Sequence, residues 1–363
     1  SAIKNIFSSN DFKKYAENHN IMFSSANSIN IGRLFPQVIY YISTYVNLIK
    51  NGTIKTGENL GSKSGKSYTS IFSETILEMA AEDERLVAIT AAMPFGTGLY
   101  NFKQTYPKRF FDVGIAEEHA VTFAAGMAAG GLKPVVAIYS TFLQRAYDQI
   151  IHDVCLQQLP VVFAIDRAGL VGSDGETHQG IFDTSYLATI PGLTVLSPKD
   201  GRELKEMLKY AYELNKPVAV RYPRGIAEDI ADMELKPIVS YENEIIKNGK
   251  DIAVFATGKT VKLALETERV LQGSGISPTI INVRFLDKAD GKLLEEIKKE
   301  HDIIVTIEES VRTGSYTERL MAEAASRKLN YNFIPVTLPD SFIEHGSQKE
   351  LWERYGFDAV EIA

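Results

Sequence analysis

The chain is poor in cysteine: Cys155 stands alone, which excludes an intrachain disulfide and fits a reducing compartment. It lies in an apolar helical run, IIHDVCLQQLP, where a thiol reads as a small core residue. Positive charge is also short. Lys and Arg number 39 against 46 Asp and Glu, for a net charge of −7, and no basic patch stands out. A nucleic-acid groove needs such a patch to displace counterions from phosphates, so nucleic acid is excluded as a partner. No apolar run approaches the roughly 20 residues that span a bilayer. Ser1 to Asn10 lacks the pattern of a secretory leader, and a cytoplasmic location is expected. The six histidines are scattered without ligand spacing, so no metal site is assigned to this chain. What remains is ordinary globular composition, 45% hydrophobic and 23% charged, which excludes disorder. At 363 residues, two or three domains are expected.

Three unequal pieces follow from pattern. Arg33 to Asn51 places Phe35, Val38, Ile39, Ile42, Tyr45, Val46 and Ile49 on one helical stripe, ending at Gly52. The stretch GENLGSKSGKS, residues 57–67, has the Gly and Ser content of a connector. From Tyr68 onward, β-branched runs alternate with helical patterns: LVAIT, RFFDVGI, PVVAIY, PVVFAID, LTVLS and PVAVRY up to about Tyr222. A second series, DIAVFAT, PTIINVRF, DIIVTIEE and NFIPVTL, follows Pro237, with helices expected at Val261–Leu271, Lys292–Glu300 and Tyr316–Lys328. Such alternation predicts βαβ units, hence an α/β protein with two parallel sheets covered by helices. The boundaries expected are 1–56, a connector at 57–67, a first α/β domain at 68–240 and a second at 241–363. The terminal DAVEIA reads as the start of a helix. ATGKT at Ala256–Thr260 lacks the glycine that a Walker loop requires at Ala253, so Gly258 is read as a strand-to-helix turn.

Ligands of open α/β sheets bind at the carboxyl ends of strands. One connection there is long: RAGLVGSDGETHQGIFDTS, between Asp166 and Tyr186, with four glycines and no clear helix or strand. Its Arg167, Asp174, Glu176, His178 and Asp183 suit a binding loop, and would equally suit a solvated one. In FFDVGIAEEHAV, Gly114 frees a turn and a helix begins near Glu117, where an acid complements the macrodipole. Burial among Val113, Ile115, Ala116, Val121 and Phe123 would make an ionised Glu117 costly unless paired, and its own segment holds no basic partner, so one is expected from outside the chain. The Ala- and Gly-rich side of the following helix permits close approach of a backbone or ligand.

Four motifs in order, FFDVGIAEEHAVTFAAGMAAGG, KPVVAIYSTFLQRAYDQIIHD, PVVFAIDRAGLVGSDGETHQGIFD and AVRYPRG, resemble the 1-deoxy-D-xylulose-5-phosphate synthases, thiamine-diphosphate enzymes of the transketolase superfamily. The resemblance covers about Lys66 to Ala363. It implies a pyrimidine-binding domain followed by a transketolase C-terminal domain. Glu117 then matches the glutamate that hydrogen-bonds N1′ of the cofactor's aminopyrimidine and favours its imino tautomer, while an apolar wall keeps that proton out of water. Glu118 stands where Gln is usual and keeps only a helix-start role. Phe142, by itself most simply a core aromatic, matches the ring that stacks on the aminopyrimidine. Tyr139 and Arg145 match positions near the reacting centre or substrate. Arg167, Asp174 and His178 match residues facing the acceptor sugar phosphate and the cofactor-bound intermediate, with His178 catalytic beside Glu117. Arg224, by itself an ordinary surface residue, matches an arginine that binds the phosphate. The implied reaction joins pyruvate to D-glyceraldehyde 3-phosphate with loss of CO2, giving 1-deoxy-D-xylulose 5-phosphate, a precursor for isoprenoids, thiamine and pyridoxal. The family's dimers imply a homodimer.

The family's N-terminal domain, whose GDG motif binds Mg2+ and the diphosphate and which adds catalytic histidines, has no counterpart here. The resemblance therefore implies half an active site, either one completed by a separately encoded N-terminal subunit or one left by a cut or truncated product; the alternative is a non-catalytic dimerising or regulatory fragment. In that domain's place, IMFSSANSINIGRLFPQVIYYISTYVNLIKNGTIK, Ile21–Lys55, resembles an internal segment of threonine synthase, a pyridoxal-phosphate enzyme. Asn27, Ser28, Asn30 and Arg33 carry that likeness. Neither its cofactor-phosphate loop nor its Schiff-base lysine follows, so no activity is assigned to them.

Overall fold

Six short apolar runs form strands because their branched side chains pack on both faces of a sheet under helices. They are β1 (Leu86–Thr90), β2 (Phe110–Asp112), β3 (Lys133–Tyr139), β4 (Val162–Asp166), β5 (Thr194–Leu196) and β6 (Val218–Arg221). In this computed structural model, which describes residues 65–228, 230 and 235–363, they pair in the order β2-β1-β3-β4-β6-β5, all parallel. The order reverses between β1 and β3, which sets a switch point there. One face is covered by the helix Tyr68–Glu82, capped by the Ser67 hydroxyl, and by Gly201–Glu213, capped by Asp200. The other is covered by Glu117–Ala129, whose Ala120, Val121, Ala124 and Ala128 pack on Ile89, Val136 and Ile138. The helix expected at Arg33–Asn51, the threonine-synthase-like motif and residues 57–64 of the connector lie outside the described residues.

The second sheet contains β7 (Glu244–Lys247), β8 (Asp251–Thr257), β9 (Thr279–Val283), β10 (His301–Val311) and β11 (Asn332–Leu338), ordered β11-β10-β8-β9-β7. Its strands are parallel as expected except at one edge, where β7, a strand the sequence did not announce, runs antiparallel to β9. The four residues Glu-Ile-Ile-Lys were too short and too polar to stand out, and an edge strand has only one neighbour to satisfy. Helices occupy Thr260–Gln272, Gly291–Ile297, Tyr316–Ser326 and Ala359–Ile362, close to expectation. Gly258, at φ +56°, makes the expected turn and packs on the Ser197 hydroxyl. Cys155 is buried within a π-helical stretch, Ile150–Cys155, and burial pushes its thiol up to about 12.

The sheets are joined by backbone and by charge. Leu196 bridges Phe285, Ser197 N–H donates to Arg284 O at 3.1 Å, and Leu286 N–H donates to Val195 O at 2.8 Å. Beneath them lies a closed ionic network. Lys199 Nζ is 3.1 Å from Glu203 and 2.8 Å from Glu244; Arg284 reaches the same two carboxylates at 2.7 and 3.2 Å. Asn282 donates to both acids. All four charged side chains are at most 4% exposed, with two positive and two negative charges balancing. Burial opposes ionisation of Glu244, but Lys199 and Arg284 outweigh it and hold its carboxyl below the ordinary range.

Candidate active site

Every expected site residue emerges at the carboxyl end of the first sheet. After β2, the Asp112 carboxylate accepts from Ala92 N–H (2.7 Å) and Gly114 N–H (3.1 Å), fixing two neighbouring turns. Gly114, at φ +73°, makes a bend that an L side chain would resist. The helix begins at Glu117 itself, with no side-chain cap at Ala116, so the acid sits at the positive end of the helix dipole. Glu117 is 2% exposed while Glu118 is open to solvent.

The partner of Glu117 corrects the sequence reading, for it comes from within the chain. Arg145 Nη1 donates to Glu117 Oε1 at 2.7 Å, and its guanidinium lies 5.1 Å from the Phe142 ring centre. Local sequence could not show this, because the pair joins the turn after β3 to the turn after β2. The wall around the acid is also less closed than expected: Ile115 is 55% exposed. Tyr139, Phe142 and His178 form a row, with Tyr139 and Phe142 stacked at 6.0 Å and Phe142 edge-on to His178 at 5.2 Å.

A second group of charges lies beside the row. Arg167 lies 4.2 Å from the Tyr139 ring centre and pairs with Asp174, which also holds Arg224 Nη1 at 2.7 Å. Two guanidinium groups thus converge on one carboxylate, and their remaining N–H donors suit an oxyanion. The long loop is not without regular structure, another correction. Gly169 and Gly180 bridge, Gly172–Asp174 forms a 3-10 turn, and Asp183–Leu187 is a helix. The second domain braces it: Gln348 donates to Leu170 O at 2.9 Å, while Gln179 accepts from Val171 N–H at 2.9 Å and donates to Glu344 O at 3.3 Å.

Sequence reasoning missed Gln179, Gln348 and the buried Asp166. Only its place, closing an apolar strand next to Arg167, could have drawn notice to the last. Burial pushes the Asp166 carboxyl up to about 6 from its ordinary 3.8, against the opposing pull of Arg167 and a hydrogen bond from Thr69. Burial likewise lowers the His178 imidazole, with Arg167 and Arg224 acting in the same sense and Asp174 against them. Because the native state takes up the Asp166 proton first, stability from this group is full below pH 4 and is lost as pH rises towards 6. His178 acts oppositely: the unfolded chain is protonated first, so stability falls as pH drops below 6.5. The displacement at Asp166 corresponds to on the order of 3 kcal/mol. Asp166→Asn is expected to abolish the loss between about pH 4 and 6, leaving only the acid-side decline. Urea midpoints of both proteins across this range test it; parallel curves would refute the assignment.

The residues fit an aminopyrimidine. Glu117 Oε2 accepts no hydrogen bond among the described residues, and Phe142 offers a partly buried aromatic ring on the other side of the Arg145 guanidinium. A ring nitrogen and a flat heteroaromatic body would meet complementary groups there.

Comparison with known proteins gives the same outline. Residues 64–228 match the family model "Transketolase, pyrimidine binding domain", and 242–362 match "Transketolase, C-terminal domain". Over 312 residues the chain is 50% identical to a 1-deoxy-D-xylulose-5-phosphate synthase of Caldanaerobacter subterraneus, covering 85% of this chain and 50% of that protein. Over 299 residues it is 52% identical to the enzyme so named from Dictyoglomus thermophilum, covering 82% and 48%. The chain thus spans about half the length of the curated relatives it matches. A solved structure described as "Split gene transketolase, inactive beta4 tetramer" superimposes with a TM-score of 0.72 at 27% identity, covering 82% of this chain and 96% of that one. The transketolase of Campylobacter jejuni shares the fold, with a TM-score of 0.66 at 19% identity over 88% of this chain and 49% of its own.

Proposed function

Because the chain belongs to the transketolase family, we propose that it is the pyrimidine-binding and C-terminal half of a thiamine-diphosphate enzyme that makes 1-deoxy-D-xylulose 5-phosphate and CO2 from pyruvate and D-glyceraldehyde 3-phosphate. The observation that carries this is the buried Glu117 carboxylate, held by Arg145, whose guanidinium also lies against the Phe142 ring that meets His178 edge-on. The pyrimidine-binding domain is assigned to residues 68–240 and the C-terminal domain to 241–363. Mg2+ and the diphosphate group are assigned to a separate N-terminal subunit, and the working assembly to a cytoplasmic protein containing a homodimer of this chain. Its product would feed isoprenoid, thiamine and pyridoxal synthesis.

Thiamine diphosphate, when bound, supplies the acidic carbon and the electron sink that decarboxylation needs. The chain's own groups have simpler tasks. Glu117 Oε2 holds a proton at N1′ of the pyrimidine, while Arg145 on Oε1 keeps the carboxylate turned towards it. Phe142 supports the ring face. His178, neutral because burial depresses its proton affinity, can accept or give a proton near the acceptor aldehyde. Arg167 and Arg224 hold the acceptor's phosphate, with Asp174 fixing their spacing. The exposed apolar side chains Phe95, at 71%, and Ile115, at 55%, support coverage by an N-terminal, diphosphate-binding half.

The test is complementation: this chain is mixed with an N-terminal, diphosphate-binding half, and pyruvate-dependent CO2 release is measured with the phosphorylated aldehyde present. A pair that binds cofactor yet releases no CO2 refutes the catalytic reading. Arg224→Ala is expected to raise the KM for D-glyceraldehyde 3-phosphate by roughly tenfold or more, the loss of one charge-assisted contact, with little change for pyruvate. Equal changes for both substrates would remove Arg224 from the phosphate site.

A second reading, a non-catalytic dimerising or regulatory body, is favoured by one observation: the split-gene transketolase chain of similar extent is described as an inactive tetramer. It describes the chain alone. Sedimentation and turnover with and without the added half distinguish an inert assembly from an incomplete enzyme.

A further inference from the structure

Arg167 occupies a backbone conformation that non-glycine residues seldom adopt, with φ +63°. Residues held so need surroundings that over-determine them, and such strain collects at functional positions. Four sets of contacts supply it here. The Arg167 N–H donates to Asp166 Oδ1 at 2.7 Å. Its carbonyl oxygen lies so close to Gly180 that a Cβ there would collide with it. Beyond it, Ala168 N–H donates to Tyr222 O at 3.0 Å, and Gly169 and Gly180 exchange hydrogen bonds. Only the first of these is a side-chain contact, and so only it can be removed without rebuilding the loop.

Asp166 is placed for that task and for no direct one. It is 1% exposed, and its other oxygen accepts from the Thr69 hydroxyl at 2.8 Å. One oxygen thus faces the first helix of the domain and the other faces the Arg167 peptide, so the carboxylate ties the loop's first residue to a rigid element. Tyr222 flanks it, and Arg224 contributes a favourable field. A buried carboxyl that costs the fold stability is retained most simply because the two bonds it makes hold something in place.

We infer that Asp166 is a positioning residue for the phosphate clamp: it holds the Arg167 backbone left-handed and thereby aims the guanidinium across Tyr139 onto Asp174. The clamp's substrate rests on the proposed function; the aiming of Arg167 does not. Two readouts keep them apart. Crystal structures of the full chain carrying Asp166→Ala, Asp166→Asn and Thr69→Val report the position of Arg167. Kinetics of the complemented enzyme compare D-glyceraldehyde 3-phosphate with unphosphorylated D-glyceraldehyde.

In Asp166→Ala, Arg167 is expected to leave the left-handed region and its contacts with Tyr139 and Asp174. The KM for the phosphorylated aldehyde should rise by roughly tenfold, the value of a charge-assisted contact, while the unphosphorylated aldehyde and pyruvate stay within about twofold. Asp166→Asn keeps an acceptor for the Arg167 N–H and should restore both geometry and KM. If Asp166→Ala does not fold, Thr69→Val, which frees one carboxylate oxygen, should shift Arg167 and raise the same KM by a smaller factor, with Asp166→Asn as its control. Arg167 unmoved in the alanine variant, or in the valine variant if that one stands in, overturns the inference; so does a KM that rises equally for both aldehydes. If the wild-type pair releases no CO2, the proposed function fails, and the geometry of Arg167 still decides the role of Asp166.

Discussion

Glu117→Gln is expected to cut pyruvate-dependent CO2 release of the complemented enzyme by about 10²- to 10⁴-fold, the range spanned by loss of a general acid-base group. Gln has the same shape and can still meet a ring nitrogen, but its amide cannot share a proton with it. The fold should barely notice. Arg145 loses its partner, yet its side chain is 36% exposed and can turn to water, so the change in stability should stay within about 1 kcal/mol. The combination is diagnostic: a folded protein, cofactor still bound, and turnover nearly gone. Turnover within a few-fold of wild type would mean that the acid is merely a helix-start residue, the reading that its position in the first turn would otherwise favour.

The largest effect on stability is expected at the seam between the sheets. Arg284→Met leaves Glu203 and Glu244 sharing Lys199 alone, an uncompensated negative charge among side chains at most 1% exposed. Breaking a buried ion pair from one side costs about 3–5 kcal/mol, because the stranded charge has already lost its water. The urea midpoint should fall accordingly, and the transition should broaden or split as the second sheet loosens from the first. Replacing all four charged groups with apolar residues of similar volume should cost far less, since no charge is then stranded. A loss under about 1 kcal/mol in Arg284→Met would show that water reaches the network.

Both expectations concern contacts that no local pattern reveals. The β-branched runs and their spacing predicted ten strands of the described residues, and helical patterns predicted the helices at Glu117–Ala129, Thr260–Gln272, Gly291–Ile297, Tyr316–Ser326 and Ala359–Ile362, because period and composition report burial on a sheet. β7 escaped, being four residues long and dependent on β9 for its hydrogen bonds. The site was legible as a set of motifs carrying Glu117, Tyr139, Phe142, Arg145, Arg167, Asp174, His178 and Arg224, and the structure brings them to one end of one sheet. Their pairings were not legible. Arg145 reads only as a position near the reacting centre or the substrate, with no sign of its pairing with Glu117, and Asp166 reads as the end of a strand until its oxygens are followed to Thr69 and to the next peptide.

Amino-acid order by itself determined the α/β class, the positions of the turns that carry chemistry and the acid that opens the Glu117–Ala129 helix, because each follows from side-chain periodicity or from a contiguous motif. Tertiary structure alone decided which charges meet. Glu117 and Arg145 are 28 residues apart, and Glu203 and Arg284 are 81 apart. Coulomb energy depends on separation in space and on the water excluded between the partners, and neither quantity exists until the sheets have closed over them.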